Sequence, residues 1–231
     1  MRNGLSMHKA LSHRLRATLW LALSLLITVT AGTGCKTAYY ATMEKFGVAK
    51  RDLLKKRVLA ARDEQKEAGE QFKDALTKLQ AMYRFDGGKL EAAYRELEGD
   101  YTKSAELAES VRKRIKDVES VAGDLFAEWE RELAEITTPA LQAASRRQLL
   151  ETRTRYDGMM VALRKAEQSM HPVLTQLKDH VLFLKHNLNA QAIASLKGEA
   201  ASIQTEITRL ITDMNASIAK ADEFIKTLEQ P

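Results

Sequence analysis

The chain has 231 residues, 45% of them hydrophobic but only 6% aromatic, with 11 glycines and 3 prolines. That balance lacks the aromatic side chains and the Gly and Pro turns of many-stranded β folds, and its richness in Ala, Leu, Glu, Lys and Arg favours long helices. The formal charge of +5 invites a nucleic-acid reading until its location is considered. Arg2, Lys9, Arg14 and Arg16 precede Cys35 with no acid among them, which leaves 32 basic residues against 31 acidic ones in the remainder. The body of the chain is therefore nearly neutral and has no bulk attraction for phosphate backbones, so no nucleic-acid partner is expected.

The N-terminus is tripartite. A basic stretch runs to Arg16, an apolar stretch follows from Ala17 to Val29, and the small residues Thr30-Ala31-Gly32-Thr33-Gly34 lead into Cys35. The apolar core is shorter than the ~20 residues a membrane-spanning helix needs, so residues 1–34 read as a secretory signal peptide. Cys35, the only cysteine, directly follows the small-residue run, which resembles a lipobox. Lipidation of Cys35 is expected, although Gly32 stands where that motif usually has an aliphatic residue. The other readings are an uncleaved anchor, or ordinary cleavage near Ala31. A lone cysteine excludes disulfides within the chain. Lys36 follows the cysteine, where enterobacterial lipoproteins retained in the inner membrane usually carry Asp; by that resemblance the expected location is the outer membrane, facing the periplasm.

Residues 35–48 are read as lipid anchor and tether, and residues 49–231 as a helical domain. Beyond the tether, apolar residues recur at alternating steps of three and four. The first seam runs from Leu54 through Phe72, Leu76 and Leu79 to Tyr83, and the second from Leu90 through Val111, Ile115 and Leu125 to Trp129. The third runs from Leu149 through Leu163 and Leu177, then shifts to Val181, Leu184 and Leu188. The fourth runs from Ile193 through Leu210 to Leu228. Such spacing puts one narrow apolar seam on each helix, a coiled-coil pattern. Phe85-Asp86-Gly87-Gly88 supplies the first break, and Thr138 as N-cap with Pro139 at the first helical position supplies the second. Near Asn187 to Asn189 the signal is weaker: Asn189 can cap a fourth helix, or the third can continue. Pro172 is expected to kink or restart the third helix. The reading is all-α, an elongated antiparallel four-helix bundle of helices of about 40–48 residues, each roughly 60–70 Å long.

The segments Ala38-Tyr39-Tyr40, Met43-Glu44-Lys45, Lys50-Arg51-Asp52, Phe85-Asp86-Gly87-Gly88, Trp129-Glu130 and Val181 to Ala190 carry a family likeness. On them the chain resembles Domain of Unknown Function 2959, proteobacterial envelope proteins that typically begin with a lipoprotein signal. The resemblance implies compartment and fold; the family has no established activity to carry over.

Motifs for chemistry are missing from the sequence. His171, His180 and His186 are nine and six residues apart and form no i, i+4 pair for a helical zinc site. The positions three before them, Gln168, Leu177 and Phe183, hold no Glu for a di-iron bundle. There is no phosphate-binding loop or nucleophile elbow, so neither catalysis nor a cofactor is expected. Asp86-Gly87-Gly88 has one carboxylate, too few for an ion loop, and reads as a turn.

Two surface features are singled out. Lys50, Arg51, Lys55, Lys56 and Arg57 read as a solvated helix face, or alternatively as a contact for anionic lipid headgroups. Val181, Leu182, Phe183 and Leu184 are broader than one seam requires; they are expected to pack within the bundle, the alternative being an exposed docking patch. His186 is expected to point away from the seam, and Lys185 to be solvated. The function expected is a non-catalytic, lipid-anchored envelope scaffold or adaptor with an envelope protein as partner. The alternative is a binding module for a lipid or other apolar ligand. The sequence leaves the oligomeric state open.

Overall fold

The computed structural model describes residues 50–84 and 90–229. The segments expected to be a signal peptide, a lipidated Cys35 with its tether, and a turn at Asp86-Gly87-Gly88 lie outside the described residues. Four helices follow in order: α1 (Lys50–Met82), α2 (Leu90–Glu135), α3 (Pro139–His186) and α4 (Ala190–Glu229). No strand occurs among the described residues, and the fold is an all-α four-helix bundle.

Local chemistry sets the ends. Pro139 opens α3 at its first position, where its missing N–H is one the helix could not pair in any case. Thr138 occupies the N-cap with extended backbone, but its side chain makes no capping hydrogen bond, so Pro139 rather than the threonine hydroxyl defines this start. Asn189 does cap: its Oδ1 accepts the Ala192 N–H at 2.9 Å. The weak third break is thus a real one, and Asn187, Leu188 and Asn189 separate α3 from α4. Pro172 does not restart α3, which runs unbroken through it for 48 residues.

Polar pairs between helices give the topology. Along α1 and α2, Lys50 meets Glu128, Arg57 meets Asp117 and Lys78 meets Asp100, so the two run antiparallel. Arg112 with Glu167, Arg164 with Glu119 and Arg153 with Glu130 set α3 antiparallel to α2. Asp213 receives Lys165 and Ser169 from α3, and Gln176 donates to Ser202, which sets α4 antiparallel to α3. Arg62 with Asp222 closes the ring from α1 to α4. Across the diagonal, Gln65 Nε2 donates to the Leu163 carbonyl at 3.2 Å and Tyr83 meets His180, so α1 and α3 run parallel. The N-terminus of α1 therefore shares one end of the bundle with the last turns of α2 and α4. The C-terminus of α1 shares the other end with that of α3.

The seams fill the interior. Leu54, Val58, Phe72, Leu79, Val111, Met159, Leu163, Leu177, Leu184, Ile203 and Leu210 are wholly or almost wholly excluded from solvent. Ala61, Ala68, Ala122, Ala166 and Ala221 are equally buried and let the backbones approach. At Gly69 the approach is tight enough that a Cβ would lie 3.2 Å from Met214 Sδ. Three details of the expected seams are corrected. Ala75 is buried where Leu76 was expected, and Phe126 where Leu125 was expected; Leu188 is 41% exposed because α3 has already ended.

His180 is buried against Tyr83 near the end of α1. Its Nδ1 lies 2.7 Å from the Gln176 carbonyl, which only accepts, so Nδ1 carries the proton and Nε2 accepts from the Tyr83 hydroxyl at 3.1 Å. Burial lowers the His180 pKa below the ordinary 6.5, against the opposing pulls of the Gln176 carbonyl, Asp179 and Glu199. Burial also pushes the Tyr83 hydroxyl well above its usual range. The unfolded chain then binds a proton at a pH where the folded chain does not. This part of the stability is fully present above the ordinary histidine pKa and is lost as pH falls from there through the lower folded value. Urea unfolding between pH 8 and 5 is expected to show the midpoint falling on the acid side, and His180→Gln is expected to flatten that slope. An unchanged slope in His180→Gln contradicts the assignment.

Candidate functional site

Each end of the bundle carries a feature that packing alone does not require. At the end holding the α1 C-terminus, the apolar run 181–184 divides by helix geometry. Val181 and Leu184, three apart, are buried in the seam, whereas Leu182 is 48% and Phe183 38% exposed. The expectation that the whole run packs inside the bundle is corrected to that extent: successive helical residues turn by about 100°, and one seam cannot take four in a row. Leu188, just beyond α3, adds a third exposed apolar side chain within seven residues. The other large exposed apolar side chains, Leu141, Leu150 and Val161, are spread singly along α3, as is ordinary for a soluble surface. Lys185 and His186 are exposed.

At the opposite end stands the basic cluster, which does not form one face. Lys50 is largely covered and paired with Glu128, and Arg57 is half-buried 3.9 Å from Asp117. Lys55 is half-buried. Arg51 and Lys56 are exposed but five positions apart, so they point in different directions around the helix. A flat array of five headgroup contacts is not presented.

Beside Arg51 lies a cleft of about 270 Å³, a feature the sequence reading missed. It is walled by Arg51 from α1, by Leu125, Glu128, Trp129 and Glu132 from α2, and by Leu228 from α4, with Gln148 and Thr152 from α3 at its rim. Leu125, Glu128, Trp129 and Glu132 recur every three or four residues and so share one face of α2. The Trp129 indole N–H donates to Ser145 Oγ at 2.9 Å, which fixes the ring against α3. A shallow groove along α4 is lined by Thr205, Thr208 and Thr212, whose hydroxyls donate to carbonyls four residues back on their own helix, together with Arg209 and Asp213 and with Lys165 of α3.

Among the described residues, no three His, Cys, Asp or Glu side chains gather as a metal site, and no helix is long and apolar enough to cross a membrane. The family model described as "Protein of unknown function (DUF2959)" matches residues 39–228, most of the chain and all four helices but the last residue of α4. The chain belongs to this family. No curated protein and no solved structure matches it significantly.

The two halves of the 181–184 run separate experimentally. Leu184→Ala is expected to cost about 2–5 kcal/mol, as buried leucine truncations do. Phe183→Ala should cost less, about 1–2 kcal/mol, because more than a third of the residue is already exposed. Equal losses in denaturant unfolding contradict this division.

Proposed function

We propose that this DUF2959 protein is a non-catalytic envelope adaptor, anchored through a lipidated Cys35 and presenting the far end of its bundle to another envelope protein. The observation that carries the reading is the placement of Leu182, Phe183 and Leu188. Three large apolar side chains stay in water at one end, while Val181 and Leu184 beside them complete the core. Exposed apolar groups gathered at one place lower the free energy most when a partner covers them. The described chain enters the bundle at Lys50, at the end opposite this apolar tip. A bundle that spans a distance and offers a small apolar tip suits the joining of two components. The filled seam favours this over a carrier for an apolar ligand, which needs a void between the helices. The signal layout and Lys36 support an outer-membrane location facing the periplasm.

The test is site-specific photocrosslinking in intact cells, with the crosslinking residue placed at Leu182 or, as control, at the exposed Lys116 on α2. A discrete adduct is expected from Leu182 and not from Lys116. Cys35→Ser is expected to abolish both the adduct and incorporation of a palmitate analogue. No adduct at Leu182, the same adducts from both positions, or an adduct that survives Cys35→Ser contradicts the reading.

A further inference from the structure

We propose that the cleft beside Arg51 binds a small zwitterion, a molecule with an ammonium group and a phosphate or carboxylate on one short skeleton. Arg51 and Glu132 both line the cleft, yet no ion pair joins them, and neither is paired with any other described residue. The neighbouring carboxylate, Glu128, is already committed to Lys50. A guanidinium and a carboxylate that face one concavity without meeting are satisfied together by a ligand carrying both opposite charges.

The remaining walls fit the same chemistry. Trp129 is held by its bond to Ser145 and offers an aromatic surface beside Glu132, the pairing that suits an ammonium group. Arg51 supplies the planar fork that binds phosphate or carboxylate through two parallel hydrogen bonds. Leu125 and Leu228 add an apolar wall, against which the short carbon skeleton of such a molecule can lie.

Size narrows the class further. A cleft of about 270 Å³ is on the scale of a small molecule such as phosphoethanolamine or one of the smaller amino acids, free or as the headgroup of a lipid. A bare anion leaves Glu132 repelling it, and a bare amine leaves Arg51 unmet; both are expected to bind more weakly than the zwitterion. The site lies at the opposite end from Leu182 and stands independently of the adaptor reading.

Isothermal titration of the full-length protein tests this with phosphoethanolamine, glycine, ethanolamine and inorganic phosphate as probes. Saturable binding of phosphoethanolamine or glycine is expected, with ethanolamine and inorganic phosphate weaker by about tenfold or more, the scale of one lost charge-assisted hydrogen bond. Arg51→Gln and Glu132→Gln are each expected to weaken binding by a similar factor without moving the melting temperature, and Lys56→Gln to leave it unchanged. Lysophosphatidylethanolamine below its micelle concentration identifies the source: tighter binding than phosphoethanolamine assigns a lipid headgroup, and equal or weaker binding assigns a free solute. The proposal is overturned if neither zwitterion binds saturably, if inorganic phosphate binds as tightly, or if affinity survives both substitutions.

Discussion

The whole arrangement depends on each helix having a single narrow apolar stripe to hide. A stripe of this width is covered by the helices on either side plus a little of the one opposite, and four such helices satisfy one another in a ring. α1 packs on α2 and α4, and α3 packs on the same two. Truncating a filled position such as Phe72 or Met159 leaves a hole that its neighbours close only in part. The alanines of the seams and Gly69 set how closely the backbones approach. Because they contribute little apolar area themselves, the large side chains between them carry most of the burial energy.

An apolar stripe does not by itself choose a register, since sliding one helix by a heptad matches leucine to leucine again. Polar groups inside the seam remove that freedom. Arg62 with Asp222 and Gly69 against Met214 bracket Gln65 and Ser217, which places these two buried polar residues at one level of α1 and α4. Gln65 reaches the Leu163 carbonyl of α3 with its amide, a bond that a shifted register forfeits. The interhelical ion pairs add selection of the same kind. Each contributes only about 0–1 kcal/mol at an exposed site, but a slipped register loses several together. Asp213 is the most enclosed of these acids: burial alone would raise its pKa, but Lys165 and Ser169 hold it below the usual carboxylate range.

The seam was legible because a sustained three–four spacing has one physical meaning in a chain poor in Gly and Pro. In α4 the seam positions Ile193, Leu196, Ile203, Ile207, Leu210, Met214, Phe224 and Leu228 are all buried. One departure follows from drift: a straight helix gains about 20° on each seven-residue repeat, so the buried stripe moves from Leu125 to Phe126. The end features were harder to read. The cleft joins Arg51, Trp129 and Leu228, far apart in sequence, and only the antiparallel packing brings them together. The hydroxyl contact of His180 comes from Tyr83 on the diagonal helix, although Leu177 three residues earlier already marked its side of α3 as near the seam. The basic cluster looks different in three dimensions: five charges near one another in sequence are dispersed around a helix, and two of them meet carboxylates on α2.

A bundle closed in this way carries an apolar tip at one end and a charged cleft at the other, the two features on which the proposals rest. Both assignments require the α1–α4 contact, because it closes the ring and brings Leu228 to the wall of the cleft. The most direct test is a distance between those helices. Spin labels are attached through Arg62→Cys and Asp222→Cys in a Cys35→Ser background, with the labelled chain diluted in unlabelled chain. The closed ring places these side chains in contact, 2.7 Å apart between Arg62 Nη1 and Asp222 Oδ1, so the shortest distances that the labels permit are expected. If α4 instead extended beyond α3, the labels would stand apart by the rest of α3 plus most of α4, roughly 90 Å, and the account would be contradicted.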